Sequence, residues 1–97
     1  MTKRFVDIYV STDSLFSLGR DTASGAPYVA IPVSNRLADY EEYYRLSEIE
    51  FDTFLGSLDA ALDLVESCRN RERDDRLILH PGSDRGVPRR PKKESAA

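Results

Sequence analysis

Ser47 followed three residues later by Glu50 constrains this chain more than any other feature. In such an S-x-x-E box the serine side chain accepts from the third helical amide, and the glutamate reaches back to the serine amide. A helix therefore starts at this point and does not run through it. Beyond it, Phe51, Phe54, Leu55 and Leu58 recur at i, i+3, i+4 and i+7, which makes one apolar helix face. Gly56-Ser57 interrupts that face at a cost of about 1 kcal/mol relative to alanine. Asp59 is placed to cap a second helix carrying Ala61, Leu64, Val65 and Cys68. One kinked helix and a helix pair both satisfy the pattern, with the helical region running to about Arg71–Arg73.

The segment before the box, DYEEYYRLS, reads as a strand with Tyr40, Glu42, Tyr44 and Leu46 on one face and Glu41, Tyr43 and Arg45 on the other. A short helix from Asp39 also fits, because Tyr40, Tyr43 and Tyr44 are spaced i, i+3, i+4, but a helix start at Ser47 favours the strand. Phe5 to Val10 alternates with Val6, Ile8 and Val10 on one side and Phe5, Asp7 and Tyr9 on the other. Ser11 to Pro27 is rich in serine, threonine and glycine and reads as a long connection, with room for a helical turn over Ser14–Leu18. Tyr28 to Val33 is a strand whose Val29, Ile31 and Val33 face the core, and Pro32 argues for the sheet edge or the strand end. Arg76 to His80 reads as a short strand stopped by Pro81-Gly82. The expected architecture is α+β: a small, mainly antiparallel sheet with one kinked helix or a helix pair packed on one face. It forms one domain over residues 1–86, followed by a basic, extended and disordered tail over 87–97.

With 97 residues the chain supports a single modest core. No apolar run approaches the ~20 residues that span a bilayer, and no leader pattern is seen, so the expectation is a soluble cytoplasmic protein without a membrane partner. The one cysteine, Cys68, lies on the apolar helix face and reads as a small core residue. Cys68 and His80 are too few for a structural zinc site, and P-loop, dinucleotide, metalloprotease and nucleophile-elbow signatures are all missing. The sequence thus predicts no cofactor, no metal and no enzyme. His80 with Asp84 four residues on is the one pairing that could serve acid–base chemistry, and a satisfied turn explains it equally. The run HPGSDRG could form an anion-binding nest, and it is also ordinary turn chemistry.

Charge is unevenly spread. Residues 37–66 carry nine acidic side chains and one basic, whereas 67–97 carry nine basic and five acidic. The basic segment from Arg69 to Lys93 could contact nucleic-acid phosphates, but the acidic middle would repel the polymer and the tail has no aromatic ring for stacking. The acidic middle interleaves with tyrosines, which bury large rings at interfaces and keep a hydroxyl for hydrogen bonding. Carboxylates around such rings steer a basic partner. The candidate partner-binding residues are Asp39, Tyr40, Glu41, Glu42, Tyr43 and Tyr44, with Glu48, Glu50 and Asp52 next.

DYEEYYRLSEIEFDTFL, followed by a helix ending in SCRNRERDDRLILHPGSDRG, resembles small bacterial immunity proteins of toxin–immunity systems, over roughly residues 28–86. The resemblance implies a non-enzymatic, stoichiometric inhibitor that covers a cognate toxin, often a basic nuclease domain, through an acidic surface. It transfers no inhibitory residue position by position. The alternative is a small regulator that contacts nucleic acid through its basic C-terminal segment.

Overall fold

The computed structural model describes residues 3–91. Its strands are β1 (Phe5–Ser11), β2 (Phe16–Asp21), β3 (Pro27–Ser34), β4 (Asp39–Arg45) and β5 (Val87–Pro88), and its α-helices are α1 (Glu48–Gly56) and α2 (Asp59–Arg69). The strands form an antiparallel sheet in the order β1-β2-β3-β4, with β5 also pairing β3. Both helices pack on one face, so the fold is α+β as the sequence predicts. None of the described helices is long and apolar enough to cross a membrane.

The capping box forms in full: Glu50 N donates to Ser47 Oγ at 3.1 Å and Ser47 N to Glu50 Oε1 at 2.8 Å. At Gly56-Ser57 the chain makes two helices rather than one bent helix. Asp59 does not cap the second. Leu58 holds that position in helical geometry, and the amides of Ala60 and Ala61 bond to the Ser57 and Leu58 carbonyls. A tight turn thus takes the donors that a cap would have served, and Asp59 keeps only its favourable place at the positive end of the dipole.

α2 ends at Arg69, earlier than expected. Arg71 adopts φ 61°, its amide bonds to the Cys68 carbonyl, and the Glu72 amide bonds to the Ser67 carbonyl. This is a Schellman stop with arginine where glycine is usual.

Two expectations fail in the first third of the chain. The connection from Ser11 to Pro27 contains β2, and no helical turn forms over Ser14–Leu18. Phe16 and Leu18 face the helices while Ser17 and Gly19 face away, so small polar residues hide the alternation from a hydrophobicity reading. In β1 the register slips between Asp7 and Tyr9, leaving Ile8 as the extra residue of a bulge. One extra residue reverses the faces beyond it. Val6 lies opposite Arg20, but Val10 lies opposite Ser17, so the expected Val6–Ile8–Val10 stripe is broken and all three side chains are exposed.

β3 is central rather than an edge strand, because β2 pairs it through Ala30 and β5 from Val33 onward. Pro32 falls in the gap between these two neighbours. Its carbonyl still accepts from Arg89 N at 3.0 Å, and the missing N–H costs no ladder bond there. Val29, Ile31 and Val33 face the core as predicted. They meet Phe16, Leu18, Tyr44, Leu46, Phe51, Phe54, Ala61, Val65 and Cys68. Burial raises the Cys68 thiol to about 12, as expected for an inert core residue.

Arg76–His80 is not a strand. Asp74–Arg76 forms a 3-10 turn, after which Leu77 bridges Tyr44 and Ile78 N bonds to the Tyr43 carbonyl. This short contact covers part of the outer edge of β4. The fold also continues past residue 86, since Val87–Pro88 joins the sheet and Pro91 is buried. The rest of the expected tail, 92–97, lies outside the described residues.

Candidate functional site

The acidic, tyrosine-rich segment does not form one surface, because β4 divides it by alternation. Tyr40, Glu42 and Tyr44 point toward the helices. Tyr44 is 0% exposed and Glu42 is 5% exposed. Tyr44 Oη donates to Glu42 Oε1 at 2.8 Å, and burial together with that carboxylate pushes the phenol far above its ordinary value. Arg85 then grips Glu42 with Nε at 2.9 Å and Nη2 at 3.0 Å, and grips Asp74 at 2.7 and 2.9 Å. Tyr40 Oη accepts from Gly86 N at 2.7 Å. These three predicted docking residues therefore pin the loop before β5 to the sheet. A buried ion pair and a buried phenol are not available to a partner.

The helix residues are also occupied. Glu48 makes a two-bond pair with Arg20, and Glu50 makes one with Arg76 while closing the capping box. Asp52 is exposed on α1, on the helix layer.

Asp39, Glu41 and Tyr43 lie on the opposite, uncovered face. Asp39 Oδ1 accepts from Ser34 Oγ at 2.7 Å. Tyr43 stacks on Phe5 from β1, across the two strands that lie between them in the sheet, with centroids 3.8 Å apart and planes within 9°. Both rings stand edge-on to Tyr28, at 5.0 and 5.6 Å. Tyr28 reaches across β2 over Gly19 and donates to Asp7 Oδ1 at 2.6 Å. Two carboxylates, Asp7 and Glu41, thus flank a three-ring cluster. Burial first, and then the Glu41 and Asp7 charges, raise Tyr43 to about 12. Burial and the neighbouring Asp7 charge likewise push Glu41 above the usual carboxylate range.

Phe5, Asp7 and Tyr28 join this face only through strand pairing, so reading one segment at a time misses them. The period-two placement of Phe5 with Asp7 was the one available signal.

These shifts act on stability in opposite directions. Arginine partners hold Asp21, Glu48, Glu50, Glu66 and Asp74 below their ordinary values. Their contribution is complete above the unfolded-state values near ~4 and is lost as pH falls through the lower folded values. The urea midpoint is therefore expected to fall steadily on acidification below about pH 4. Glu41 has the reverse sign, because its ionisation works against folding at neutral pH. Glu41→Gln is expected to raise the midpoint at pH 7, with the gain fading as pH falls to about 4.

The other candidates stay apart. His80 is exposed and makes no hydrogen bond with Asp84, whose carbonyl accepts instead from Asn35 Nδ2 at 2.8 Å. Arginines of the basic segment engage the protein itself: Arg69 holds the Ser14 carbonyl, Arg71 the Gly86 carbonyl, and Arg90 pairs with Glu66. Among the described residues no group of histidine, cysteine and carboxylate side chains is arranged to hold a metal ion. No family model, curated protein or solved structure matches this chain.

Proposed function

We propose that this protein is a non-enzymatic binding module of the immunity type, which neutralises a cognate, basic toxin domain by docking it on the uncovered face of the sheet. The observation that carries this reading is the Phe5–Tyr43 stack flanked by Asp7 and Glu41. Half-buried rings beside carboxylates combine an anchor with a steering charge. Asp39 lies on the same face of β4 as Glu41 and extends the attraction beyond contact distance. The nucleic-acid reading draws on arginines that the fold already uses internally, and no observation favours it.

The test is co-expression with a toxin domain encoded in the neighbouring reading frame, followed by hydrogen exchange on the complex. Neutralisation and protection of β1, β3 and β4 on the open face are expected. Tyr43→Ala is expected to speed dissociation by about 30-fold, the equivalent of about 2 kcal/mol. Glu41→Lys, which leaves the core untouched, is expected to slow association and flatten its salt dependence. A neighbour that is not bound, or one that protects only the helices, would overturn the proposal.

A further inference from the structure

Beside the ring stack, the open face contains a groove of about 190 Å³ lined by Val10, Leu15, Ser17, Ala30, Pro32 and Glu41 among others. Strand register builds it: Val10 lies opposite Ser17, Ser17 opposite Ala30, and Pro32 opposite Glu41. The small side chains of Ser17 and Ala30 leave the floor low, while Val10 and Pro32 form apolar walls.

Three features set this groove apart from an ordinary dip in the surface. Ser17 is 4% exposed, and its Oγ is buried without a hydrogen-bond partner, a costly state for a hydroxyl. At the end of the groove Leu15 holds φ 55°, a conformation leucine rarely adopts, and the Ser14 carbonyl beside it is fixed by Arg69 from α2 at 2.5 Å. Glu41 supplies the one carboxylate of the lining, which also carries the hydroxyls of Ser11 and Thr12.

We propose that the groove is a slot for a single lysine side chain of the protein partner. Its methylenes lie along Val10, Ala30 and Pro32, and its ammonium donates to Glu41 and to Ser17 Oγ, turned inward about χ1. The compact ammonium of lysine meets a carboxylate on the wall of so small a groove end-on, whereas the planar fork of arginine needs both oxygens presented side by side. This inference rests on the open face receiving a basic partner, and it names the chemistry of the contact.

The test needs no partner. End-blocked Gly-Lys-Gly is titrated into ¹⁵N-labelled protein beside Gly-norleucine-Gly and Gly-Arg-Gly. Saturable shifts are expected at the Val10, Ser17, Ala30 and Glu41 amides, with the lysine peptide binding about fivefold tighter than the norleucine one. Glu41→Gln is expected to erase that difference, and Ser17→Ala, which keeps the fold, to weaken the lysine peptide about twofold. Equal binding of norleucine, tighter binding of arginine, or the absence of saturable shifts would overturn the slot. Those results would leave the docking face standing, whereas a toxin that protects only the helices would overturn the face and leave the peptide result intact.

Discussion

Arg85→Ala is expected to destabilise the protein by about 3–5 kcal/mol, the largest effect of any single side-chain truncation considered for this fold. The two arms of the clamp contribute unequally. The Asp74 arm is solvated, with the carboxylate side chain 43% exposed, and such pairs contribute at most about 1 kcal/mol. The Glu42 arm is different, because that carboxylate is 4% exposed and also accepts the buried Tyr44 hydroxyl. Removing the guanidinium leaves a charge in the core with only a phenol to compensate it. For a domain of this size the loss corresponds to a fall in melting temperature of roughly 12–40 °C, taking about 4–8 °C per kcal/mol. Thermal unfolding of Arg85→Ala checks this, and Arg85→Ala with Glu42→Gln is expected to recover a large part of the loss. A single variant that melts within a few degrees of the parent would show that the clamp is dispensable.

Gly19→Ala is the second large effect, expected at about 3 kcal/mol. A Cβ at this position would overlap the Val6 carbonyl oxygen and come within 2.5 Å of Tyr28 Oη and 2.7 Å of its Cζ. The flexible end of a side chain can yield, but a backbone oxygen in the neighbouring strand cannot do so without parting β1 from β2. Tyr28 is fully buried, and its hydroxyl is tied to Asp7, so moving the ring also breaks that bond and the edge contacts to Phe5 and Tyr43. Urea denaturation gives the magnitude, and the near-ultraviolet signal of the ring cluster reports the displacement. An alanine variant with unchanged stability and an unchanged aromatic signal would refute the packing argument.

Both predictions rest on residues whose roles are invisible locally. Arg85 lies in a turn-rich stretch where serine, aspartate and glycine suggest only a loop, and its partner Glu42 is 43 positions away. Gly19 weakens the strand signal of β2 for a reason supplied by a tyrosine in the next strand. The candidate docking residues divide in the same way. Alternation along β4 was readable and correctly separated Tyr40, Glu42 and Tyr44 from Glu41 and Tyr43. Which of the two sets would be covered depended on where the helices came to rest.

The residue order alone determined the features that need only a few neighbouring side chains. The capping box closes within four residues, the apolar helix faces repeat within two turns, and β4 alternates within seven residues. Tertiary structure decided the bulge that turns Val10 to the other face, the central place of a proline-containing strand, and the pairing of arginines with carboxylates from distant segments. The division has a physical cause. Local patterns are fixed by backbone geometry and short-range hydrogen bonds, whereas charge pairing and ring stacking depend on which strands the hydrophobic core brings side by side.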